Sequence, residues 1–435
     1  MKYVIIGTGG AGVSAAEAIR SVDKDSELTM ISSEDTPPYS PCLLLYYVED
    51  KAMKDHLYWK GKDFYEKLSV NTVLGSQVNR IDTSRKRVTL DSGEEIRYDK
   101  LLIASGGKVT YPPIKGLDLN GVFTFKTLSD ADNIHKWLEE NDVVNGVVIG
   151  GGFIGLDAGE ALQKRGVNIT IIELLDRLLP RMLDKEMGNI VEDIFEEHGV
   201  KVLLKSKVSE IIGEESMGRK VKGVKLADGR ILPADIVIIA TGVRPNLDFA
   251  EKSGIKTNRG ILVDEFLETS SKDVFAAGDV AESLNVVTGK EEPILLWPNA
   301  LLEGAIAGYN MLGYKLRYYG SDNQTIIKVY GVPVVSEGVQ EGDAIKYFDA
   351  KNKVYKKMYI ENSYIKGYIL INTMKNAGLY HSLIRKKEDI QRFKDIILTD
   401  RFNIGTFLKD SLLQQYTSQY LNHMDKMYMS KGCLV

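Results

Sequence analysis

The sequence contains little cysteine, no long apolar run and no strong excess of one charge. Its two cysteines, Cys42 and Cys433, cannot form a disulfide framework or a four-cysteine metal site, so we expect no metal. No apolar run reaches the roughly 18 residues of a membrane span, and the N-terminus leaves no room for a signal peptide. A net charge of −4 without a long basic tract argues against a nucleic-acid partner. We therefore expect a cytoplasmic protein with no membrane span.

The composition is that of an ordinary globular protein of several domains. Apolar residues make up 44% and charged residues 27% of the chain. A length of 435 residues allows two or three domains, each with its own core. Alternating segments of strand and helix character predict the α/β class over most of the chain.

A glycine signature that binds phosphates occurs twice, each time directly after a buried strand and before a helix. The first glycine allows a tight turn, the second lets the backbone approach a pyrophosphate, and the third allows close helix packing. Two copies in this context predict two Rossmann-like dinucleotide domains of three layers each. The predicted cofactor-binding residues are Gly7, Gly9, Gly10, Ala11 and Gly12 in the first copy, and Gly150, Gly152, Phe153, Ile154 and Gly155 in the second.

A second pair of signatures repeats with the same spacing. Gly106 ends an apolar strand thirteen residues after the turn glycine Gly93, and Gly242 does the same after Gly229. The shared order and spacing indicate one architectural unit used twice. A chain with two dinucleotide sites usually holds two different dinucleotides, here FAD as the redox centre and NAD(H) as its reductant.

The acid that follows each glycine signature indicates which nucleotide binds. In such units an acidic residue roughly 20 residues further on accepts hydrogen bonds from the adenosine ribose. Glu173 ends the second strand of the second unit, and its carboxylate would repel a 2′-phosphate, so NADH is expected over NADPH. In the first unit that strand ends on Ser32, and the nearest acid is Glu34, two residues further on.

The motifs resemble those of the flavoprotein disulfide reductases, which carry two dinucleotide domains. The most specific string is Val274–Val280, with Asp279, and Ile239–Asn246 also follows the family pattern. The resemblance implies that Asp279 binds the ribityl chain of FAD. It also implies an FAD domain at 1–117 and 246–324, an NAD(H) domain at 118–245 and an α+β interface domain for dimerisation at 325–435. Further cofactor-binding residues implied by the resemblance are Pro41, Val78, Ala104, Ser105, Gly106, Gly278, Ala300 and Gly242.

Phe153 in the second signature and Asp157 just after it lie where relatives place groups around the flavin and the nicotinamide. Phe153 stands where relatives often have an aromatic ring that covers the flavin until nicotinamide displaces it; the alternative is that it only packs the helix on the sheet. Asp157 stands where many relatives have a glutamate near the nicotinamide, and the shorter side chain leaves that contact open.

Cys42 is the candidate catalytic residue. Pro41 and the apolar run after Cys42 predict a helix start, where the helix dipole would lower the pKa of the thiol. Dithiol relatives carry a second cysteine where this chain has Tyr47, so an internal redox disulfide is excluded. A lone cysteine here resembles NADH oxidases, NADH peroxidases and coenzyme A disulfide reductases, and Gly10, where peroxidases have histidine, argues against the peroxidases. The opposing interpretation is that Cys42 is a buried packing residue.

The sequence leaves two functions open. In the first, electrons pass from NADH through FAD and Cys42 to a small disulfide, such as coenzyme A disulfide, or to oxygen. In the second, the third domain (Gly367–Tyr380 and onward) resembles that of NADH:acceptor and rubredoxin-type reductases. The chain would then be an electron-entry subunit for an iron–sulfur or rubredoxin-like protein and would need no cysteine. Either a homodimer or a larger oxidoreductase complex would cover the third domain.

Overall fold

The computed structural model describes residues 1–214 and 219–409 and divides the chain into two compact units. The first unit is Met1–Gly331, and the second begins at Val332. The first unit contains both glycine signatures, so its division into an FAD and an NAD(H) domain stays a prediction. Strands of the first unit are β1 Lys2–Ile6, β2 Glu27–Ile31, β3 Asn71–Val73, β4 Val78–Asp82, β5 Arg87–Leu90, β6 Glu95–Arg97, β7 Lys100–Ile103, β8 Gly107–Val109, β9 Val122–Thr124, β10 Asn145–Ile149, β11 Asn168–Ile172, β12 Lys201–Leu203, β13 Val208–Glu214, β14 Lys220–Leu226, β15 Ile231–Pro233, β16 Ile236–Ile239, β17 Val243–Pro245, β18 Ile261–Leu262, β19 Val274–Ala276, β20 Ala281–Leu284, β21 Glu291–Glu292 and β22 Thr325–Val329.

The helices alternate with these strands in the manner of an α/β protein. Helices span α1 Gly10–Val22, α2 Leu44–Val48, α3 Phe64–Lys67, α4 Leu128–Glu140, α5 Phe153–Lys164, α6 Lys185–Glu197, α7 Asp248–Glu251, α8 Trp297–Met311 and, in the second unit, α9 Ala377–Lys386. Among the described residues, no helix has the length and apolar character that crossing a membrane requires.

Two parallel five-stranded sheets have the same strand order. The first is β19-β7-β1-β2-β3 and the second is β9-β16-β10-β11-β12. In each sheet the strand that leads into a glycine signature, β1 or β10, occupies the centre. A three-stranded antiparallel sheet accompanies each one, β4-β5-β6 in the first case and β13-β14-β15 in the second. The α/β class with two Rossmann-like parallel sheets is therefore confirmed.

Alternating side chains of the central strand build a core on each face of the first sheet. Tyr3 and Ile5 pack with α1 and α8, whereas Val4 and Ile6 pack with the small sheet β4-β5-β6. Because successive strand residues point to opposite faces, a continuous apolar run is what a strand covered on both faces requires. This packing fixes the carboxyl end of β1, where the first glycine signature begins.

The second unit is an antiparallel sheet followed by a helix. Its strands are β23 Val332–Gly338, β24 Asp343–Asp349, β25 Val354–Glu361 and β26 Tyr364–Ile371, in the spatial order β23-β26-β25-β24. The buried ring of Tyr380 on α9 packs edge-on against Tyr368 of β26 at 5.3 Å between ring centroids. The alternating pattern of this region predicts an antiparallel sheet, and the structure has that sheet followed by a helix, an α+β arrangement. It carries no glycine signature.

Candidate active site

The two glycine turns have nearly the same backbone geometry. Gly7 has φ +113° and Gly150 has φ +116°, both in the region that side chains disfavour. A Cβ on Gly7 would lie 2.1 Å from the Ala104 carbonyl oxygen, and one on Gly150 would lie 2.3 Å from that of Ala240. Both positions therefore require glycine, because the turn passes directly against the neighbouring strand end.

The third glycine of each signature packs its helix onto the turn. A Cβ on Gly12 would lie 2.0 Å from the Gly7 carbonyl oxygen, and a Cβ on Gly155 would lie 2.0 Å from that of Gly150. Backbone atoms, which cannot rotate away, occupy both places. The helix N-termini are therefore held close to the strand ends.

The second glycine of each signature faces open space. No atom lies within 4 Å of a Cβ built on Gly9 or Gly152. These residues are the N-caps of α1 and α5, and neither helix has a side-chain cap for its first N–H groups. Free N–H groups at a helix N-terminus attract anions through hydrogen bonds and the helix dipole. The protein thus fits the pyrophosphate of a dinucleotide at both places.

Glu173 lies against the second glycine turn. Its Oε2 accepts a hydrogen bond from the Gly151 N–H at 2.7 Å, and its Oε1 accepts one from the Leu175 N–H at 2.8 Å. The side chain is buried, with 7% exposure. The carboxylate is thus held by the backbone beside the turn, where it can also accept from ribose hydroxyls. Its role in binding the ribose stays a prediction.

The first turn has a different polar neighbour. Ser32, at the place equivalent to Glu173, accepts a hydrogen bond at 3.0 Å from the hydroxyl of Thr8 within the turn. Glu34 instead accepts one from the Tyr39 hydroxyl at 2.8 Å, and burial raises the pKa of Glu34. Tyr39 in turn accepts from the Leu128 N–H at 3.0 Å. The structure therefore ties Glu34 to Tyr39, a partner that sequence spacing alone does not reveal.

Asp279 has no hydrogen-bonding partner among the described residues. It lies in a short 3₁₀ turn, Gly278–Val280, directly after β19. Burial raises the pKa of its carboxyl, and the positive charge of Lys126 partly offsets this effect. A half-buried carboxyl without a protein donor is suited to accept from hydroxyl groups of a bound molecule. Asp279 therefore fits the predicted contact with the ribityl chain.

Other residues predicted for the FAD site converge on the same end of the first sheet. A Cβ on Gly278 would lie 3.0 Å from that of Ala11 and 3.3 Å from that of Ala300, so three separate segments meet there. Ser105 donates to the Asn246 carbonyl at 3.3 Å, next to Gly106, which has φ +65°. These contacts bring the segment after residue 246 back to the first sheet.

The remaining predicted residues lie in varied surroundings. The side chain of Val78 is buried in the core beneath the first sheet. Gly242, with φ +103°, follows β16 as Gly106 follows β7. Phe153 is the first residue of α5 and is 37% exposed, and Pro41 is also exposed. Their contacts with cofactors stay predictions.

Cys42 is an exposed free cysteine, but its pKa is shifted against expectation. Loss of hydration raises the pKa of the Cys42 thiol, the negative charge of Asp157 adds to this, and a hydrogen bond with Ser40 offsets only part. The expected lowering by a helix dipole is wrong. Cys42 lies in the three-residue 3₁₀ turn Pro41–Leu43, and α2 is only five residues long, so little dipole is available. Cys433 lies outside the described residues.

Tyr47 occupies the place of the second cysteine of dithiol relatives and points elsewhere. Its hydroxyl donates to Asp132 at 2.9 Å, and its ring stacks on His135 at 5.2 Å between centroids. These contacts connect α2 to α4. Tyr47 therefore joins two helices.

Asp157 belongs to a group of carboxylates around Lys164. The Lys164 ammonium contacts Glu160 and lies 2.8 Å from Glu49, both of which are buried. Loss of hydration and repulsion by Glu160 and Glu49 raise the pKa of Asp157 to about 7. Sequence spacing places Asp157 and Glu160 on α5, but only the tertiary structure adds Glu49 and the neighbouring Cys42.

Two residues that the sequence did not single out lie against the first glycine turn and Gly278. Trp297 begins α8, and a Cβ on Gly10 would lie 3.1 Å from its ring. Glu303, in the middle of α8, is 4% exposed and accepts a hydrogen bond from Gly278. The sequence does contain a signal for Glu303: it is an acid among the small and apolar residues of α8, and a buried acid needs hydrogen-bond donors nearby.

Comparison with known proteins identifies the family. Residues 1–304 match the model of the pyridine nucleotide-disulphide oxidoreductases, and residues 324–388 match that of the rubredoxin NAD⁺ reductase C-terminal domain. The chain belongs to the pyridine nucleotide-disulphide oxidoreductase family. It is accordingly an oxidoreductase that uses FAD and NAD(H).

Three relatives illustrate the range of this family. An NADH oxidase of Methanocaldococcus jannaschii is 34% identical over 78% of this chain and 76% of its own. The structure of an NAD-dependent persulfide reductase from A. fulgidus is 31% identical, with a TM-score of 0.84 over 92% of this chain and 79% of that one. Subunit epsilon of the NADH-dependent phenylglyoxylate dehydrogenase of Aromatoleum evansii is 28% identical over 93% of this chain and 96% of its own.

Proposed function

We propose that this oxidoreductase transfers electrons from NADH to a small disulfide, a persulfide-type acceptor or oxygen, with Cys42 as the residue that meets the acceptor. The observation that carries the proposal is the exposed free thiol of Cys42 in the same compact unit as both glycine turns. The names of two relatives, an NADH oxidase and a persulfide reductase, agree with acceptors of this kind. FAD supplies the redox chemistry, since a flavin accepts a hydride from NADH and releases electrons to an acceptor.

The residues of the second turn would bind and orient NADH. The free N–H groups at the start of α5, next to Gly152, would hold the pyrophosphate, and Glu173 would hold the adenosine ribose. The Glu173 carboxylate would repel a 2′-phosphate, so NADH is favoured over NADPH. Phe153, exposed at the first position of α5, would have to move when the nicotinamide enters.

Cys42 would act as a nucleophile toward a disulfide. Its thiolate attacks one sulfur, the S–S bond breaks, and one thiolate leaves while a mixed disulfide forms at Cys42. The two electrons and the proton of a hydride from NADH, with one proton from water, then regenerate the Cys42 thiol and release the second thiol. Because the pKa of Cys42 is raised, turnover should increase with pH above neutrality.

Reductive titration under anaerobic conditions tests the proposal. If Cys42 is redox-active, enzyme first converted to the mixed disulfide at Cys42 should take up four electrons per subunit, two in FAD and two in the S–S bond, whereas Cys42→Ser should take up two and lose turnover with disulfides. Cys433→Ser, which removes the only other cysteine, is the matched control and should behave as wild type. Full activity of the Cys42→Ser variant with every acceptor would exclude the thiol mechanism.

A second candidate function is electron entry into a protein complex. The match of residues 324–388 to the rubredoxin NAD⁺ reductase C-terminal domain favours it, as does the relative that is a dehydrogenase subunit and matches nearly end to end. Electrons would then pass to an iron–sulfur or rubredoxin-like protein without Cys42. Copurification with such a protein, together with a fully active Cys42→Ser variant, would support this function over the first. A homodimer and a cytoplasmic location also remain proposals.

A further inference from the structure

Behind the turn that carries Asp279 lies a buried carboxylate with three hydrogen-bond donors. Oε2 of Glu303 accepts from the Gly278 N–H at 2.7 Å, and Oε1 accepts from the hydroxyls of Ser283 and Ser321, each at 3.0 Å. The Tyr318 hydroxyl lies 2.5 Å from that of Ser321 and extends the network. Four segments of the first unit therefore meet at one side chain.

The place of Glu303 in the fold connects it to the cofactor site. Gly278 comes two residues after β19 and has φ +77°, and a Cβ added to it would lie 3.0 Å from that of Ala11 on α1 and 3.3 Å from that of Ala300 on α8. Gly304, next to Glu303, packs so tightly on α1 that an added Cβ would lie 2.1 Å from the Ala11 carbonyl oxygen. The carboxylate thus lies at the contact between the two helices and the turn that aims Asp279.

We propose that Glu303 is a positioning residue of the flavin site: it fixes the Gly278–Asp279 turn, and its negative charge sets the reduction potential of the bound flavin. The inference rests on the FAD site proposed above. Three donors directed at one carboxylate stabilise its ionised form, while burial disfavours it. A buried charge is poorly screened, so it acts on a neighbouring redox group more strongly than a surface charge would.

The balance of these effects places the pKa of Glu303 in the neutral range. Burial raises the pKa of Glu303 to about 7, although the donors from Gly278, Ser283, Ser321 and Tyr318 oppose the rise. Several titratable groups lie near this network among the described residues. The loop after α8 contributes Tyr318 with Asp322 near it, the turn contains Asp279 with Lys126 near it, and α1 packs Ala11 against Gly304 beside Glu303. Strand β20 presents Ser283, while Glu282 points away.

The decisive variant is Glu303→Gln, which keeps the shape and one acceptor but removes the charge. A negative charge disfavours the electron-rich reduced flavin, so its removal should raise the midpoint potential of the bound flavin. Glu303 is neutral in wild type at low pH, so the two potentials should approach each other at pH 6 and separate at pH 8. Glu303→Leu removes the acceptor as well, and its FAD dissociation constant should rise roughly tenfold, because the Gly278 N–H loses its partner.

Glu282→Gln is the matched control. Glu282 is also buried, at 2% exposure, and also accepts from a glycine N–H, that of Gly260 at 2.8 Å, but on the side away from the turn. Its substitution should leave the potential unchanged at both pH values. If Glu303→Gln and wild type have the same potential at pH 6 and pH 8, the inference is overturned. If wild type itself binds no FAD, the proposed flavin site fails instead, so the two failures are distinguishable.

Discussion

Alanine at Gly152 should weaken NADH binding without weakening the fold. Gly152 has φ −79° and ψ 174°, which any residue adopts, and its Cβ would meet no protein atom within 4 Å. Replacing glycine at a compatible position stabilises by about 0.4–1 kcal/mol through the unfolded chain. Alanine is a poorer N-cap than glycine by a similar amount. The two effects oppose each other, so the free energy of unfolding should change by less than about 1 kcal/mol.

The effect on the dinucleotide should be much larger. The new methyl group would project into the space that the pyrophosphate needs to reach the N–H groups of α5. Loss of one hydrogen bond to a charged group costs about 1.5–3 kcal/mol, which corresponds to a rise of roughly 10- to 100-fold in the Michaelis constant for NADH. Steady-state kinetics with a dye acceptor measure the Michaelis constant for NADH. The flavin content shows whether FAD is retained, and the thermal melting temperature shows whether the fold is destabilised.

Gly9→Ala and Gly155→Ala complete the experiment. Gly9 is as open as Gly152, so its alanine variant should lose FAD affinity by a similar factor and keep the fold. Gly155 is closed, with its Cβ 2.0 Å from a carbonyl oxygen, so alanine there should destabilise the protein by at least about 1–3 kcal/mol. If Gly152→Ala and Gly9→Ala bind both dinucleotides as wild type does, the two turns are not the binding sites and the assignment is refuted.

Further predictions concern single charges. Glu173→Gln should lower the preference for NADH over NADPH roughly tenfold, because it removes both a charged acceptor for ribose hydroxyls and the repulsion of a 2′-phosphate. An unchanged ratio of kcat/KM for NADH to kcat/KM for NADPH would contradict this role of Glu173. Glu34→Gln is the control. The pKa of Asp157 is raised to about 7, so between pH 4 and pH 7 the unfolded chain ionises this group while the folded chain keeps the proton, and stability falls as pH rises through this window. Urea unfolding of the FAD-loaded protein should therefore show a larger stability gain from Asp157→Asn at pH 7.5 than at pH 4.5, and an equal gain would refute the shift. Turnover with disulfides should increase with pH above neutrality as the Cys42 thiol ionises, and a profile that falls over this range would exclude the thiolate as nucleophile.

Much of the fold and the geometry of both glycine turns could be predicted because the signals are local. A strand, a turn glycine and a helix start follow one another in the chain, so Gly7, Gly9 and Gly12 can be recognised by spacing alone. The same holds for Glu173, which ends the neighbouring strand. Backbone sterics determine these positions, and the steric demand is the same in every such turn.

Residue order along the chain is enough to predict the architecture: two parallel sheets, a glycine turn at the centre of each, and an acid beside the second turn. The electrostatics, in contrast, follow from the packing of segments that are distant in the chain. The pKa of the Cys42 thiol is raised because surrounding protein atoms reduce its hydration and because Asp157 is negatively charged. The Glu303 carboxylate accepts hydrogen bonds from Gly278, Ser283 and Ser321. Burial and long-range charge depend on which distant segments pack together, so a pKa shift cannot be predicted from the spacing of residues in the sequence. A turn depends on adjacent residues, so the glycine turns can be predicted in this way.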